Sequence, residues 1–369
     1  MFSPRPDRIL TAILASTLIA GLLAVSAGPA TGRAAAPAGA TRTLGRPAAG
    51  PAPQPSAQTA QPAGQLSASA HERAAPMAAA ADDGAMVVNS VWKDRRMLDI
   101  LVRSPAVGAT VPVRLLLPPG WSSTATRTWP VLYLLQGAHD DYTSWTRGTS
   151  IEAFSADKDM IVAMPSSGPT GLPTRWWNSG KNAPDYESFQ VNELMQLLQR
   201  GFRAGSVRSV AGVSTGGYGA VMLAAHHPGA FAAAASYSGV LDTTYPGMPE
   251  VLGAIVAREF QAPDSLWGDP VVNEALWAVD NPYYQVSKLR WTSLFISCGS
   301  GQDGGSAADV GGTLESALWQ QSLAFTKRLS LLGIPAETDL YKGGVHDWSA
   351  WDGEFNKSWP MLSASLGLS

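Results

Sequence analysis

The stretch AGVSTGGYGA at 211–220 contains the pattern Gly-x-Ser-x-Gly around Ser214. A serine in this pattern is typical of a sharp strand-to-helix turn that exposes its hydroxyl to attack a carbonyl group. The pattern alone is weak, because glycine is abundant, with 37 in 369 residues. However, the apolar run VRSVAGV before Ser214 predicts a buried strand, and the residues after it predict a helix. This context favours a nucleophile over an ordinary glycine-rich turn.

A nucleophilic serine needs a base, and histidine is the usual one. His346 follows the last predicted strand in YKGGVHDW, so the chain order Ser, acid, His makes it the predicted base. His139 follows an earlier strand in LLQGAHDDY and is the alternative. The other three histidines are predicted to lie away from the site: His71, His226 and His227.

The acid that orients the base must come from the segment after the predicted strand at 291–298. Asp303, Asp309 and Glu315 all lie in that segment, and Asp303 is nearest to the end of the strand. An acidic residue near a helix start is also favoured by the helix dipole alone, so the three stay open at this point.

Two backbone N–H groups are predicted to stabilise an oxyanion on the attacked carbonyl. One belongs to Thr215, directly after the nucleophile, and the other to Ala138 in the loop after an earlier strand. Gly137 would let the backbone approach closely there.

The surrounding pattern predicts the doubly wound α/β class, with a mostly parallel central sheet flanked by helices. Continuous apolar runs at 129–137, 160–168 and 207–214 suit parallel strands that are buried on both faces. Further strands are predicted at 86–92, 97–104, 110–118, 231–239, 291–301 and 336–344, the first three antiparallel. Helices are predicted at 188–202, after Ser214, at 312–334 and at 346–366.

The N-terminal part predicts export. Arg5 and Arg8 precede the apolar run at 9–25 and small residues, which indicates a secretory signal peptide over 1–27, an uncleaved anchor being the alternative. Residues 28–84 are rich in Ala and Pro and predict a disordered linker. Residues 85–369 are predicted to form a single domain.

Composition excludes several functions. The net charge of −3 gives no reason to expect nucleic acid as a partner. The single cysteine, Cys298, excludes an intrachain disulfide and a thiolate metal cluster. The proposed chemistry needs neither cofactor nor metal.

Several motifs together, in this order and spacing, resemble the esterase D-type esterases, especially their antigen 85 mycolyltransferase branch. They are LLQGAHDDYTSW, RWWNSG, DYESFQVNELMQLLQ, AGVSTGGYGAVMLA, SCGSG and GGVHDWSAW, and they cover nearly all of 86–369. The resemblance implies an α/β-hydrolase fold with Ser214 as nucleophile and His346 as base. It favours Glu315 over Asp303 as the acid, because Thr313-Leu314-Glu315 stands ten residues before Phe325, like the branch's F-L-E stretch.

The resemblance also implies oxyanion donors at Ala138 and Thr215 and a substrate-side tryptophan at Trp348, which could equally be a packing residue. Gln136 and His139 replace an aspartate and an arginine of the branch, in a loop that shapes its acceptor site. Three functions therefore stay open: a secreted or envelope-associated serine esterase acting on small-molecule or lipid esters, an acyltransferase, and a non-catalytic binding protein. Trp145, Trp176 and Trp177 either line a pocket or belong to the core.

Overall fold

The Val-, Leu- and Ile-rich runs form one sheet in a computed structural model that describes residues 79–181, 183–301 and 310–368. In the described residues the sheet has nine strands: β1 (Met86–Trp92), β2 (Met97–Ser104), β3 (Ala109–Leu116), β4 (Trp129–Leu135), β5 (Ile161–Pro165), β6 (Ala204–Val213), β7 (Ala233–Tyr237), β8 (Ser293–Gly299) and β9 (Glu337–Tyr341). The spatial order is β1-β2-β3-β5-β4-β6-β7-β8-β9.

The first strands and the later strands pair differently. β1, β2, β3 and β5 pair antiparallel, whereas β5, β4, β6, β7, β8 and β9 run parallel. The predicted antiparallel start and parallel centre of the sheet are both confirmed. The carboxyl ends of β4, β6, β7 and β8 therefore meet at one edge, which is where such sheets place their functional residues.

Helices connect the strands. In chain order they are α1 (Ser144–Gly148), α2 (Ile151–Phe154), α3 (Tyr186–Ser188), a π-helical segment (Phe189–Leu194), α4 (Met195–Gly201), α5 (Thr215–His226), α6 (Met248–Arg258), α7 (Glu274–Val279), α8 (Pro282–Gln285), a 3₁₀ turn (Val286–Leu289), α9 (Val310–Leu331) and α10 (Trp348–Ser365). Among the described residues, none of these helices is both long and apolar enough to cross a membrane.

The core lies on both faces of the sheet. In β4, Val131, Tyr133 and Leu135 pack with α4, α5 and α9 on one face. Leu132 and Leu134 point to the other face and pack with α2 and α10. This alternation follows from the two-residue period of a strand, and burial on both faces explains why the run is continuously apolar.

Helix α5 is buried almost all round, because it packs directly on the sheet behind Ser214. Its glycines permit this approach: a Cβ at Gly216 would collide with the carbonyl oxygen of Gln136, and one at Gly219 with the ring of Pro173. A helix that is apolar all round is expected at such a central position.

Several elements differ from the sequence-based prediction. The predicted helix at 188–202 contains the π-helical segment, whose buried Gln190 donates to Ser167 Oγ at 2.8 Å. The closing helix begins at Trp348 rather than 346, because Asp347 caps it by accepting from the Ser349 and Ala350 N–H groups. Helix α6 and the short helices α7 and α8 were not predicted. The predicted signal peptide, residues 28–78 of the predicted linker, Asp303 and Asp309 lie outside the described residues.

Candidate active site

Ser214 lies at the turn between β6 and α5, at the carboxyl edge of the sheet. Its backbone has φ 55° and ψ −120°, a conformation that costs energy for a residue with a side chain. The turn is so tight that a Cβ at Gly212 would collide with the carbonyl oxygen of Gly216. The flanking glycines of the motif are therefore required by the geometry of this elbow.

His346 lies in the loop between β9 and α10, with its ring edge-on to Trp351 at 4.9 Å between centroids. Its Nε2 is 3.0 Å from Ser214 Oγ, and its Nδ1 is 2.7 Å from Glu315 Oε2. His346 is 5% exposed and Glu315 is fully buried. The three side chains thus form one hydrogen-bonded chain that is largely shielded from water.

Glu315 lies within the first two turns of α9, and its Oε1 contacts residues of β8 and the residue that follows β7. Oε1 accepts from Ser238 Oγ at 2.7 Å and from the Gly299 N–H at 2.9 Å, and Cys298 Sγ is 3.4 Å away. Burial, together with the Glu315 charge, raises the pKa of the Cys298 thiol well above its ordinary value. Cys298 is therefore an inert, buried thiol.

Ser238 was not identified from the sequence. It follows β7 directly, has φ 48°, and accepts a hydrogen bond from Trp351 Nε1 at 3.1 Å while donating to Glu315. Its place near the end of the predicted strand at 231–239, between the nucleophile strand and the acid strand, is the one hint that the sequence offers. Of the predicted acids, the structure brings Glu315 to His346.

The backbone N–H groups of Ala138 and Thr215 belong to the two segments next to Ser214, the loop after β4 and the start of α5. A Cβ built on Gly137 would be 3.4 Å from Ser214 Cβ, so the loop after β4 runs directly against the nucleophile. Thr215 begins α5, where the N–H has no partner within the helix. Within the described part of the chain, neither N–H donates a hydrogen bond to another backbone group. Both donors are thus available to a bound oxygen atom.

The side chain of Thr215 is buried and therefore unavailable to a bound oxygen atom. It is 1% exposed, and its Oγ1 has no hydrogen-bond partner among the described residues. A Cβ at Gly171 would lie 2.5 Å from this oxygen and from the Gly137 carbonyl oxygen, so the hydroxyl packs beneath the loop.

The four tryptophans considered as pocket or packing residues lie in two places, two in packing contacts and two at a cavity. Trp348 contacts Trp145 and Trp351, each edge-on at 5.3 Å, which is a packing arrangement. Trp145 is in the core and donates from Nε1 to the Leu135 carbonyl oxygen. A cavity of about 1210 Å³ is lined instead by Trp176 and Trp177, together with Pro105, Pro169, Arg175, Glu259, Trp267 and Asp280 among others.

The other histidines in the described residues pair with carboxylates. His139 Nδ1 is 2.5 Å from Glu259 Oε1 and does not contact Ser214. His226 and His227 both contact Glu187, at 3.1 and 2.7 Å. Burial alone would raise the pKa of Glu187, but the two imidazoles lower it to about 2.

Glu187, His226 and Asp280 are the set of described residues whose donor atoms could converge on a metal ion, lying within 4.8 Å of one another. Hydrogen bonds already account for the orientation of these side chains. His226 Nε2 donates to the Val279 carbonyl oxygen at 3.0 Å, and Thr174 Oγ1 donates to Asp280 at 2.8 Å. The cluster is a polar contact between α3, α5 and the end of α7.

Comparison with known proteins decides the family. The family model described as "Putative esterase" matches residues 104–362, more than half of the chain. The chain belongs to this esterase family. Within the family, it is 30% identical over 256 residues to the diacylglycerol acyltransferase/mycolyltransferase Ag85B of Mycobacterium leprae, covering 64% of this chain and 76% of that protein. It is also 30% identical over 272 residues to an esterase of Mycobacterium tuberculosis, covering 71% of this chain and 58% of that protein.

Solved structures agree on the fold. This esterase-family chain matches MPT51 (FbpC1) of M. tuberculosis with a TM-score of 0.57 at 24% identity, over 72% of this chain and 97% of that one. It matches FphF, a fluorophosphonate-binding serine hydrolase of Staphylococcus aureus, with a TM-score of 0.55 at 22% identity, over 72% and 97%. The fold is the α/β-hydrolase fold, and the chain is a serine hydrolase or a related acyltransferase.

Proposed function

We propose that this protein is an exported serine esterase that cleaves carboxylic esters through an acyl-enzyme on Ser214. The observation that carries the proposal is the hydrogen-bonded chain from Ser214 Oγ to His346 Nε2 and from His346 Nδ1 to Glu315. The strained backbone of Ser214 and its position at the sheet edge support the same role.

The reaction has two halves. Ser214 Oγ attacks the ester carbonyl while His346 Nε2 takes the hydroxyl proton, and Glu315 holds the imidazole by its Nδ1–H. The negative oxygen of the tetrahedral intermediate accepts hydrogen bonds from the Ala138 and Thr215 N–H groups. His346 then gives its proton to the departing alkoxide, which leaves as the alcohol. In the second half, water attacks the acyl-enzyme with His346 again as base, releasing the carboxylic acid and restoring Ser214.

Trp348 supports this arrangement by packing edge-on against Trp145 and Trp351. Export rests on the charged, apolar and small-residue pattern of residues 1–27. The carbonyl chemistry implies a small-molecule or lipid ester as substrate.

A direct test compares hydrolysis of p-nitrophenyl esters by the wild type and by Ser214→Ala. The proposal expects turnover by the wild type and a loss of at least about 1,000-fold in the variant. Turnover that persists in the folded Ser214→Ala variant would refute it.

A second candidate function is acyl transfer, which the 30% identity to the diacylglycerol acyltransferase/mycolyltransferase Ag85B favours. The acyl-enzyme is the same, but an alcohol replaces water in the second half. Incubation with a radiolabelled acyl donor and either trehalose or diacylglycerol distinguishes the two. Label in free acid indicates the esterase, and label in the acylated alcohol without measurable hydrolysis indicates the transferase.

A further inference from the structure

His139 occupies an unusual position in the loop that carries the Ala138 N–H. Its φ of 60° lies in the left-handed region, which residues with a Cβ adopt uncommonly. Two contacts hold it there: its N–H donates to the Pro169 carbonyl oxygen at 2.7 Å, and its Nδ1 is 2.5 Å from Glu259 Oε1. The loop conformation is therefore secured through a side chain as well as through the backbone.

The contact between His139 and Glu259 is shielded from water. The two side chains are 7% and 22% exposed. Burial lowers the pKa of His139, against the opposing effect of the hydrogen bond with Glu259. Because a carboxylate oxygen accepts hydrogen bonds, the Nδ1–H of His139 is the donor to Glu259 Oε1. A hydrogen bond to a charged acceptor in such surroundings is among the stronger ones.

Glu259 anchors this contact to a different part of the fold. It directly follows α6, and its own N–H donates to the Val256 carbonyl oxygen at 3.1 Å. The bond from His139 to Glu259 therefore joins the loop after β4 to the end of α6, across 120 residues of sequence.

We propose that His139 and Glu259 are positioning residues that hold the Ala138 N–H at the oxyanion. This inference rests on the proposed function of Ser214. An oxyanion donor is effective only at about 2.7–3.1 Å from the developing charge, so a small shift of the loop weakens it. Because the loop runs directly against Ser214 and His139 follows the donor residue, releasing His139 lets the donor move. Neither side chain contacts the reacting atoms.

The first test compares three variants by kcat and KM for a p-nitrophenyl ester. Glu259→Ala removes the acceptor and is expected to lower kcat about tenfold with KM within about twofold. Glu259→Gln keeps an oxygen acceptor for the Nδ1–H and is expected to lose less than Glu259→Ala. Glu250→Ala, at an exposed position of the helix that Glu259 follows, is the matched control and is expected to retain wild-type kcat.

A double-mutant cycle provides the second test. His139→Gly removes the ring, and glycine readily adopts the positive φ of this position. His139→Gly and Glu259→Ala should each lower kcat about tenfold, and the double variant should lose no more than His139→Gly alone. Independent effects that multiply in the double variant would overturn the proposal, as would an equal loss in Glu250→Ala.

Failure of this inference is distinguishable from failure of the proposed function. A wild type that neither hydrolyses esters nor reacts with a fluorophosphonate probe would refute the function itself. An active wild type with unchanged kcat in Glu259→Ala and His139→Gly would overturn the positioning role and leave the function intact. A thermal unfolding curve for each variant checks that it is folded, so that a loss of kcat is not a loss of structure.

Discussion

The Ser238 hydroxyl donates a 2.7 Å hydrogen bond to Oε1 of Glu315, the carboxylate oxygen that does not face His346. The direction of this bond is set by Trp351, whose Nε1–H donates to Ser238 Oγ at 3.1 Å. Together with the Gly299 N–H, the hydroxyl holds the carboxylate so that its other oxygen meets the imidazole. Ser238 therefore helps to fix the orientation of the proposed acid, Glu315, through the carboxylate oxygen that does not contact His346.

Replacement of Ser238 by alanine is expected to lower kcat about fivefold, the equivalent of one hydrogen bond worth about 1 kcal/mol. Steady-state hydrolysis of a p-nitrophenyl ester measures this. Ser236→Ala, in the strand that precedes Ser238, is the matched control, because the Ser236 hydroxyl is buried without a partner among the described residues. Equal activity of Ser238→Ala and Ser236→Ala would show that Ser238 does not help to orient Glu315.

The Glu315→Gln substitution preserves size and removes the charge that stabilises protonated His346. We expect a fall in kcat of at least about 100-fold, since acids in such triads are worth that or more. Glu354→Gln, a buried glutamate of α10 that does not contact His346, is the control and should keep its activity. A fully active Glu315→Gln enzyme would mean that another carboxylate, such as Asp303, orients the base.

Thr215 is expected to act through its backbone N–H and not through its hydroxyl. Thr215→Val is therefore expected to keep activity within about twofold. Because the hydroxyl is buried without a partner among the described residues, its removal should raise the free energy of unfolding by up to about 1 kcal/mol. Ester hydrolysis and urea unfolding check the two expectations. A loss of activity as large as that of Ser214→Ala would show that the hydroxyl takes part in the reaction.

Asp280 gives a pH-dependent prediction about stability. Burial raises its pKa from 3.8 to about 6. Its protonated form is thus favoured in the folded protein, and this contribution is complete below about pH 4 and is lost as the pH rises through 6. At pH 8 the buried charge costs about 3 kcal/mol, since each pKa unit corresponds to about 1.4 kcal/mol.

Asn cannot ionise, and its side-chain oxygen can still accept from Thr174 Oγ1. Asp280→Asn is therefore expected to unfold at a higher urea concentration than the wild type at pH 8 and at the same concentration at pH 4. A difference that is independent of pH would contradict the assignment of a raised pKa to this carboxyl group.

The parts of the site that could be predicted from sequence are those specified locally. Ser214 is identified by its glycines together with the strand before it and the helix after it, and His346 by its place after the last strand. The alternation in β4 likewise follows from an apolar run that needs burial on both faces. These features depend on neighbours in the chain.

Other parts depend on contacts between distant segments. By spacing Asp303, Asp309 and Glu315 all fit the acid position, with Asp303 nearest to the strand end, and only the resemblance favoured Glu315. Ser238 reaches Glu315 across 77 residues, and no local pattern marks such a hydrogen bond. His139 was the alternative base because it follows the end of a strand, but its ring pairs with Glu259, 120 residues away. Helices α7 and α8 have six and four residues, too few for a periodic pattern to mark them, so their stability comes from packing.

The central claim is that Ser214 is a nucleophile activated by His346. Its most direct measurement is intact mass spectrometry after brief exposure to a fluorophosphonate probe, followed by mapping of the modified peptide. We expect one adduct per wild-type chain, on Ser214. The adduct should be absent from Ser214→Ala and should form far more slowly in His346→Ala. A folded wild-type protein that gains no adduct, or gains it on another residue, would contradict the claim.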